Sequence, residues 1–220
     1  MGISYNTSLV RDGLVLHLDA ANKKSYTGTG TAWNDMTVNG NNATLVNGVA
    51  YNAANNGSMV FDGINDYVNL NFPFTQSSSA NEYTVSIGAK LSSTSIARRQ
   101  IWGSDDGGFD WGFGSGDDGR FSIFSGQTIY TGRLQDTSWH IFTAQWSSTG
   151  TKLYIDTILD ISTPNVSYDS SIASTISIGR NPGFGEYFHG DISFVHMYNR
   201  VLLVSEIQKN FNTLRGRYGI

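Results

Sequence analysis

Few side chains in this 220-residue sequence are of a type that could do chemistry. Cutting a glycosidic bond normally takes two carboxylates roughly 5 to 9 Å apart across the sugar. The chain has three glutamates, Glu82, Glu186 and Glu206, and none has an acidic partner two residues away on a strand. Asp105 and Asp110 could substitute, but they flank a Gly-rich turn that offers little burial to raise an acid's pKa. The four histidines, His17, His140, His189 and His196, form no His-Glu-x-x-His, and no Gly-x-Ser-x-Gly elbow occurs. His17 and His196 instead fall in strand patterns. The expectation is a protein that binds rather than cuts.

Two groups of residues fit sugar binding, which needs aromatic platforms for the apolar face of a pyranose and polar groups for its hydroxyls. Trp102, Phe109, Trp111 and Phe113 surround a turn carrying Asp105 and Asp106. The spacing of Phe109, Trp111 and Phe113 puts three rings on one face of a strand. That face is either an exposed platform or part of the core. Tyr187 and Phe188, beside Pro182-Gly183-Phe184-Gly185, form a second candidate, with Phe184 and Tyr187 as its ligand-binding rings; a Gly-rich loop carrying aromatics is hard to explain by core packing alone.

Asp62-Gly63-Ile64-Asn65-Asp66 places three oxygen-bearing side chains, Asp62, Asn65 and Asp66, within five residues around a Gly turn. A calcium ion wants six to eight oxygens of this kind. The competing reading is that Asp62 caps the turn through its own backbone neighbours. Asp105-Asp106-Gly107 and Asp117-Asp118-Gly119 lack the EF-hand order and read as solvated turns.

These candidates must be positioned by strands. Period-2 alternation runs through Leu14–Asp19 and through Tyr83–Leu91, where Tyr83, Val85, Ile87, Ala89 and Leu91 share one face. Trp139–Trp146 and Ile192–Tyr198 are apolar on both faces, as strands covered on both sides would be. Shorter strands are expected at 58–61, 66–70, 99–103, 120–124, 152–156 and 175–178, with turns at Asn39-Gly40, Asn47-Gly48, Asn56-Gly57 and Asp118-Gly119. One helix is expected at the C-terminus, where Ser205 and Gln208 form a capping box and Ile207, Phe211 and Leu214 recur on one face. The pattern predicts one all-β domain over residues 1–220, a two-sheet antiparallel sandwich of the jelly-roll kind with one short C-terminal helix.

Composition agrees. Only 15% of residues are charged, 39% are hydrophobic, and Gly (25) is abundant while Pro (3) is scarce. A net charge of -4 argues against nucleic acid as a partner. The absence of Cys excludes disulfides and thiolate chemistry. No signal-peptide pattern opens the chain, and no run of eighteen apolar residues exists, so no membrane insertion is expected.

Several segments, in order, resemble a known family. They are Gly13–Ala20, Trp33-Asn34-Asp35 with its Asn/Gly-rich continuation, Ser58–Val68, Ser138-Trp139-His140, Leu153–Asp156, Ile178-Gly179-Arg180, Phe188–Ile192, Tyr198-Asn199-Arg200 and Ser205-Glu206-Ile207. Together they are similar to laminin-G-like domains of the concanavalin A-like lectin/glucanase superfamily, and the ending resembles domains in structural proteins of tailed bacteriophages. The sequence departs from the family at Thr37-Val38, where Ser-Gly is usual, and at Ala43. The resemblance implies a non-enzymatic glycan-binding module, displayed on a virion or otherwise extracellular. Partners would be a glycan or other surface ligand and, in a virion, neighbouring proteins or further copies of the chain. It also implies a structural calcium ion near Asp62, joined by Asp191 of the last strand.

Overall fold

Alternating apolar side chains make strands, and strands with one apolar face must bury it against another sheet. The computed structural model describes residues 8–75, 82–105, 110–126, 128–164 and 173–220. In chain order its strands are β1 (Leu14–Asp19), β2 (Ala32–Trp33), β3 (Ala43–Val46), β4 (Ala50–Asn52), β5 (Ser58–Asp62), β6 (Tyr67–Thr75), β7 (Tyr83–Leu91) and β8 (Arg99–Asp105). They continue with β9 (Asp110–Ser115), β10 (Arg120–Gly126), β11 (Thr128–Leu134), β12 (His140–Ser147), β13 (Gly150–Ile155), β14 (Ile158–Thr163), β15 (Ala173–Ile178) and β16 (His189–Tyr198). The helix α1 spans Val204–Leu214.

The strands form two eight-stranded antiparallel sheets. Sheet A runs β14-β13-β12-β7-β16-β5-β4, with β1 also paired to β16; sheet B runs β11-β10-β9-β8-β15-β6-β3-β2. The expected sandwich with a short C-terminal helix is the observed architecture. Each expected segment corresponds to a strand, with Asp66, Trp139 and Asp156 just outside the strand ends. The short β2 and β4 and the edge strands β11 and β14 carry no sequence pattern that announces them.

The core lies between the sheets. Val85, Ile87, Ala89 and Leu91 of β7 enter it, as the alternation requires. In β1 a register irregularity between Leu14 and Leu16 breaks the alternation. Leu16 and Leu18 reach the main core, whereas Leu14 packs in a separate cluster with Tyr198, Leu202 and Ile207. That cluster, and a third containing Ile141, Phe194, Phe211 and Leu214, form where α1 covers the outer face of sheet A. This is why β12 and β16 are apolar on both faces.

The helix begins earlier than the Ser205–Gln208 capping box predicts. Its N-cap is Leu203, and Glu206 reaches back to the Leu203 N–H at 2.8 Å. The same carboxylate takes both Nη groups of Arg200 at 2.7 Å, tying the helix start to the end of β16. The Trp33-Asn34-Asp35 segment is organised by Asp35, which accepts from the backbone N–H of His17, Thr37 and Asn41 and from the Thr37 hydroxyl. Thr37 thus serves the turn, and Val38 simply projects into solvent.

Candidate functional site

Trp102 and Trp111 are not a platform. Both are buried, and Trp111 stacks on Trp146 of the opposite sheet with ring centroids 5.7 Å apart, while Trp102 meets the same ring at 5.3 Å. Phe113 is buried beside Trp102. The one-face spacing was a core face, because that side of sheet B faces sheet A. Asp106 and Phe109 lie outside the described residues. Asp105 closes β8, its Cα opposite that of Asp110 on β9.

The other side of sheet B is unlike the core side. Gly103, Gly112 and Gly114 alternate with Trp102, Trp111 and Phe113, and cross-strand register aligns Phe124, Gly112, Gly103, Ser177, Asn69 and Thr44 in one row across six strands. A Cβ at Gly103 or Gly112 would collide with Oε1 of Gln100, so these glycines give the Gln100 side chain its place on the sheet. Gln100 in turn holds the loop that follows β15. Its backbone N–H donates to the Glu186 carbonyl at 2.9 Å, and its amide donates to the Glu186 carboxylate at 3.3 Å.

That loop carries Phe184 and Tyr187. Asn181 and Gly185 exchange two backbone hydrogen bonds of 3.0 Å, and Asn181 Oδ1 accepts from the N–H of Gly183 and Phe184. The Arg99 guanidinium donates to the carbonyls of Tyr187 and Gly63, joining this loop to the 62–66 turn. Phe184, at the tip, is 71% exposed, and Tyr187 is half-buried against Gly185. Ile64, on the neighbouring turn, is also exposed. At the loop base the Arg180 guanidinium lies 3.5 Å from the Tyr67 ring centroid and donates through Nε to Ser177 Oγ at 3.2 Å. The sequence signalled Phe184 and Tyr187. It did not signal Gln100, Tyr67 or Arg180 as neighbours; the alternation of small residues with aromatics over 102–114 was the available clue.

The four residues expected to hold calcium, Asp62, Asn65, Asp66 and Asp191, have the following partners. Asp62 Oδ1 accepts from the N–H of Ile64, Asn65 and Asp66, and these bonds outweigh burial to hold its carboxyl below the usual range. Asp66 accepts from the Asp62 N–H, and burial raises its pKa. Asn65 is exposed. Asp191 turns to Ser58 Oγ at 2.8 Å, with Lys90 at 3.8 Å. Among the described residues no three His, Cys, Asp or Glu side chains converge as metal ligands.

Three of the four histidines, His17, His140 and His196, pack within the fold. His140 Nδ1 meets Asp156 and Nε2 meets Asp136, and Arg133 Nη2 lies 3.0 Å from both ring nitrogens. Burial opposes the charge, but the two acids win and raise its pKa. His17 and His196 face each other across β1 and β16, and burial lowers both pKa values.

A family model of the concanavalin A-like lectin/glucanase superfamily, of laminin-G type, matches residues 61–208, about two thirds of the chain. The chain belongs to this superfamily. No curated protein matches the sequence. Among solved structures, the chain is similar to domain 4 of AbnA, a GH43 extracellular arabinanase from Geobacillus stearothermophilus, in complex with arabinotriose. The identity is 19%, the TM-score 0.70, and the match covers 91% of this chain and 98% of that one. Trypanosoma rangeli sialidase in complex with the inhibitor DANA matches at 15% identity and TM-score 0.71 over 93% of this chain, which spans 33% of the sialidase. The receptor binding domain of a botulinum neurotoxin C/D mosaic serotype matches at 16% and 0.67, over 90% of this chain and 51% of that one. At these identities the likeness is one of fold, and superfamily membership places the sandwich among lectin-like domains.

Proposed function

We propose that this superfamily member is a non-enzymatic glycan-binding module, and that the 180–187 loop on the outer face of sheet B is where it binds. The carrying observation is Phe184: a large ring, 71% exposed, at the tip of a loop fixed by Asn181, Gln100 and Arg99. An exposed aromatic is ordinary on a mobile loop, but a clamped one loses little entropy when a sugar stacks on it. Carbohydrate in the arabinanase domain's complex supports the reading by fold alone. The non-enzymatic part rests on the sequence, whose three glutamates form no pair, and on Glu186 and Glu206 being engaged with Gln100 and Arg200.

Binding of glycans on an array by the wild-type chain, lost in Phe184→Ala at unchanged melting temperature, is the expected result. Equal binding by both proteins would move the site elsewhere. A blank array on folded protein would remove the reading.

A second reading is favoured by one observation. Ile96, Leu134, Ile158 and Leu159 are exposed, the last three on the edge strands β11 and β14. Apolar edge strands suit contact with neighbouring proteins, as in a virion structural component. Display on a virion is compatible with glycan binding by the opposite region.

A further inference from the structure

We infer that Arg180 makes this loop a reader of carboxylate-bearing sugars, an inference that rests on the glycan reading above. Several arginines of the chain are neutralised where they stand, among them Arg98 by Asp117, Arg200 by Glu206, and Arg217 by Asp19. Arg180 has no acidic partner among the described residues, although it lies beside Glu186's loop. Its carboxylate neighbour there is occupied by Gln100 and Asn181.

The geometry of Arg180 leaves one edge for a ligand. Its flat face rests on Tyr67 and its Nε donates to Ser177, which fixes the guanidinium plane. The two Nη groups at the far end remain as a parallel pair of donors. A planar carboxylate accepts two such bonds at once, and charge-assisted bidentate pairs are stronger than neutral ones. Arg180 is half-buried, so water competes less than at an open surface. Asn69, exposed and one strand from Ser177, is available to a hydroxyl. Asn181 and Gly185 pair across the loop, so Arg180 stands at its base and Phe184 at its tip. One loop thus offers an exposed ring at its tip and a cation held in place at its base.

The test is an array holding neutral, uronate-bearing, sialylated and sulfated glycans, probed with the full chain. Calorimetry then compares the best carboxylate-bearing hit with its methyl ester. Hits concentrated among carboxylate sugars, with at least ten-fold weaker binding of the ester, are expected. Arg180→Gln should show the same loss at unchanged melting temperature, and Arg180→Lys, which keeps charge but not the fork, should not restore it. The ester comparison uses wild-type protein and stands even if a variant misfolds. Hits confined to neutral or to sulfated glycans, or an ester that binds equally well, would overturn the inference and leave the glycan reading intact. A blank array would overturn both.

Discussion

Trp111 of sheet B and Trp146 of sheet A stack across the core with their planes 4° apart and centroids separated by 5.7 Å. The Trp146 indole N–H also donates to the Phe124 carbonyl of the opposite sheet at 3.2 Å. This pair joins the sheets behind the glycine row of the candidate site. Replacing Trp111 with Ala removes a buried ring and leaves a cavity, a change that costs about 3–5 kcal/mol. Urea denaturation of Trp111→Ala should show that loss. Wild-type stability with lost glycan binding would return Trp111 to the platform role that its spacing left open.

His196 is fully buried, edge-to-face with His17 at 4.6 Å and stacked on Phe194, and neither of its ring nitrogens has a hydrogen-bond partner. Asp19, Asp35, Arg11 and Arg217 are the charged groups around the pair. Burial lowers both pKa values, so the unfolded chain takes up the proton first. The stability held by the neutral pair is present above pH 6.5 and is lost as pH falls below it. Melting temperatures measured from pH 7.5 to 4.5 should fall on the acid side, and less steeply in His196→Leu. Parallel curves would exclude the pair as the cause.

His140 runs the opposite way. Its pKa is raised by Asp156 and Asp136 against the opposing effect of burial, so the folded chain holds the proton more tightly. That contribution is complete below pH 6.5 and is lost as pH rises through the raised value. His140→Gln should remove the alkaline-side loss while lowering stability at pH 6. An unchanged profile from pH 6 to 9 would show that the Asp136–His140–Asp156 cluster is not charged. With the buried pair, this places maximum stability between the two ranges.

The 62–66 turn is held by Asp62 accepting three backbone N–H groups. Asp62→Ala should lower the melting temperature by the same few degrees with calcium and with EDTA. A calcium-induced rise seen in wild type and absent in the variant would show that an ion occupies the turn.

Much of the framework was legible residue by residue. The alternation in Tyr83–Leu91 gave β7 its limits and its core face, and two-sided apolarity at 139–146 and 192–198 anticipated strands covered on both sides. Ile207, Phe211 and Leu214 named that helix's buried stripe. Other parts carried no local signal. The hairpin between β13 and β14 turns on Asp156 and Thr157, both at positive φ without glycine, and Asp156 is held there by bonds to Ile141 from a different strand. The helix start moved because Glu206 has Arg200 as a partner as well as the Leu203 N–H.

The sequence by itself determined that this chain would be strands closed into a sandwich, since period 2 and turn residues act between near neighbours. It also shows that none of its three glutamates has an acidic partner two residues away. It could not say which side of β9 met the other sheet. Trp111 and Gly112 alternate in the same way whichever face is buried. Only the packing of sheet A against one face, through Trp146, sent the tryptophans into the core and left the glycines and Gln100 on the opposite face of sheet B.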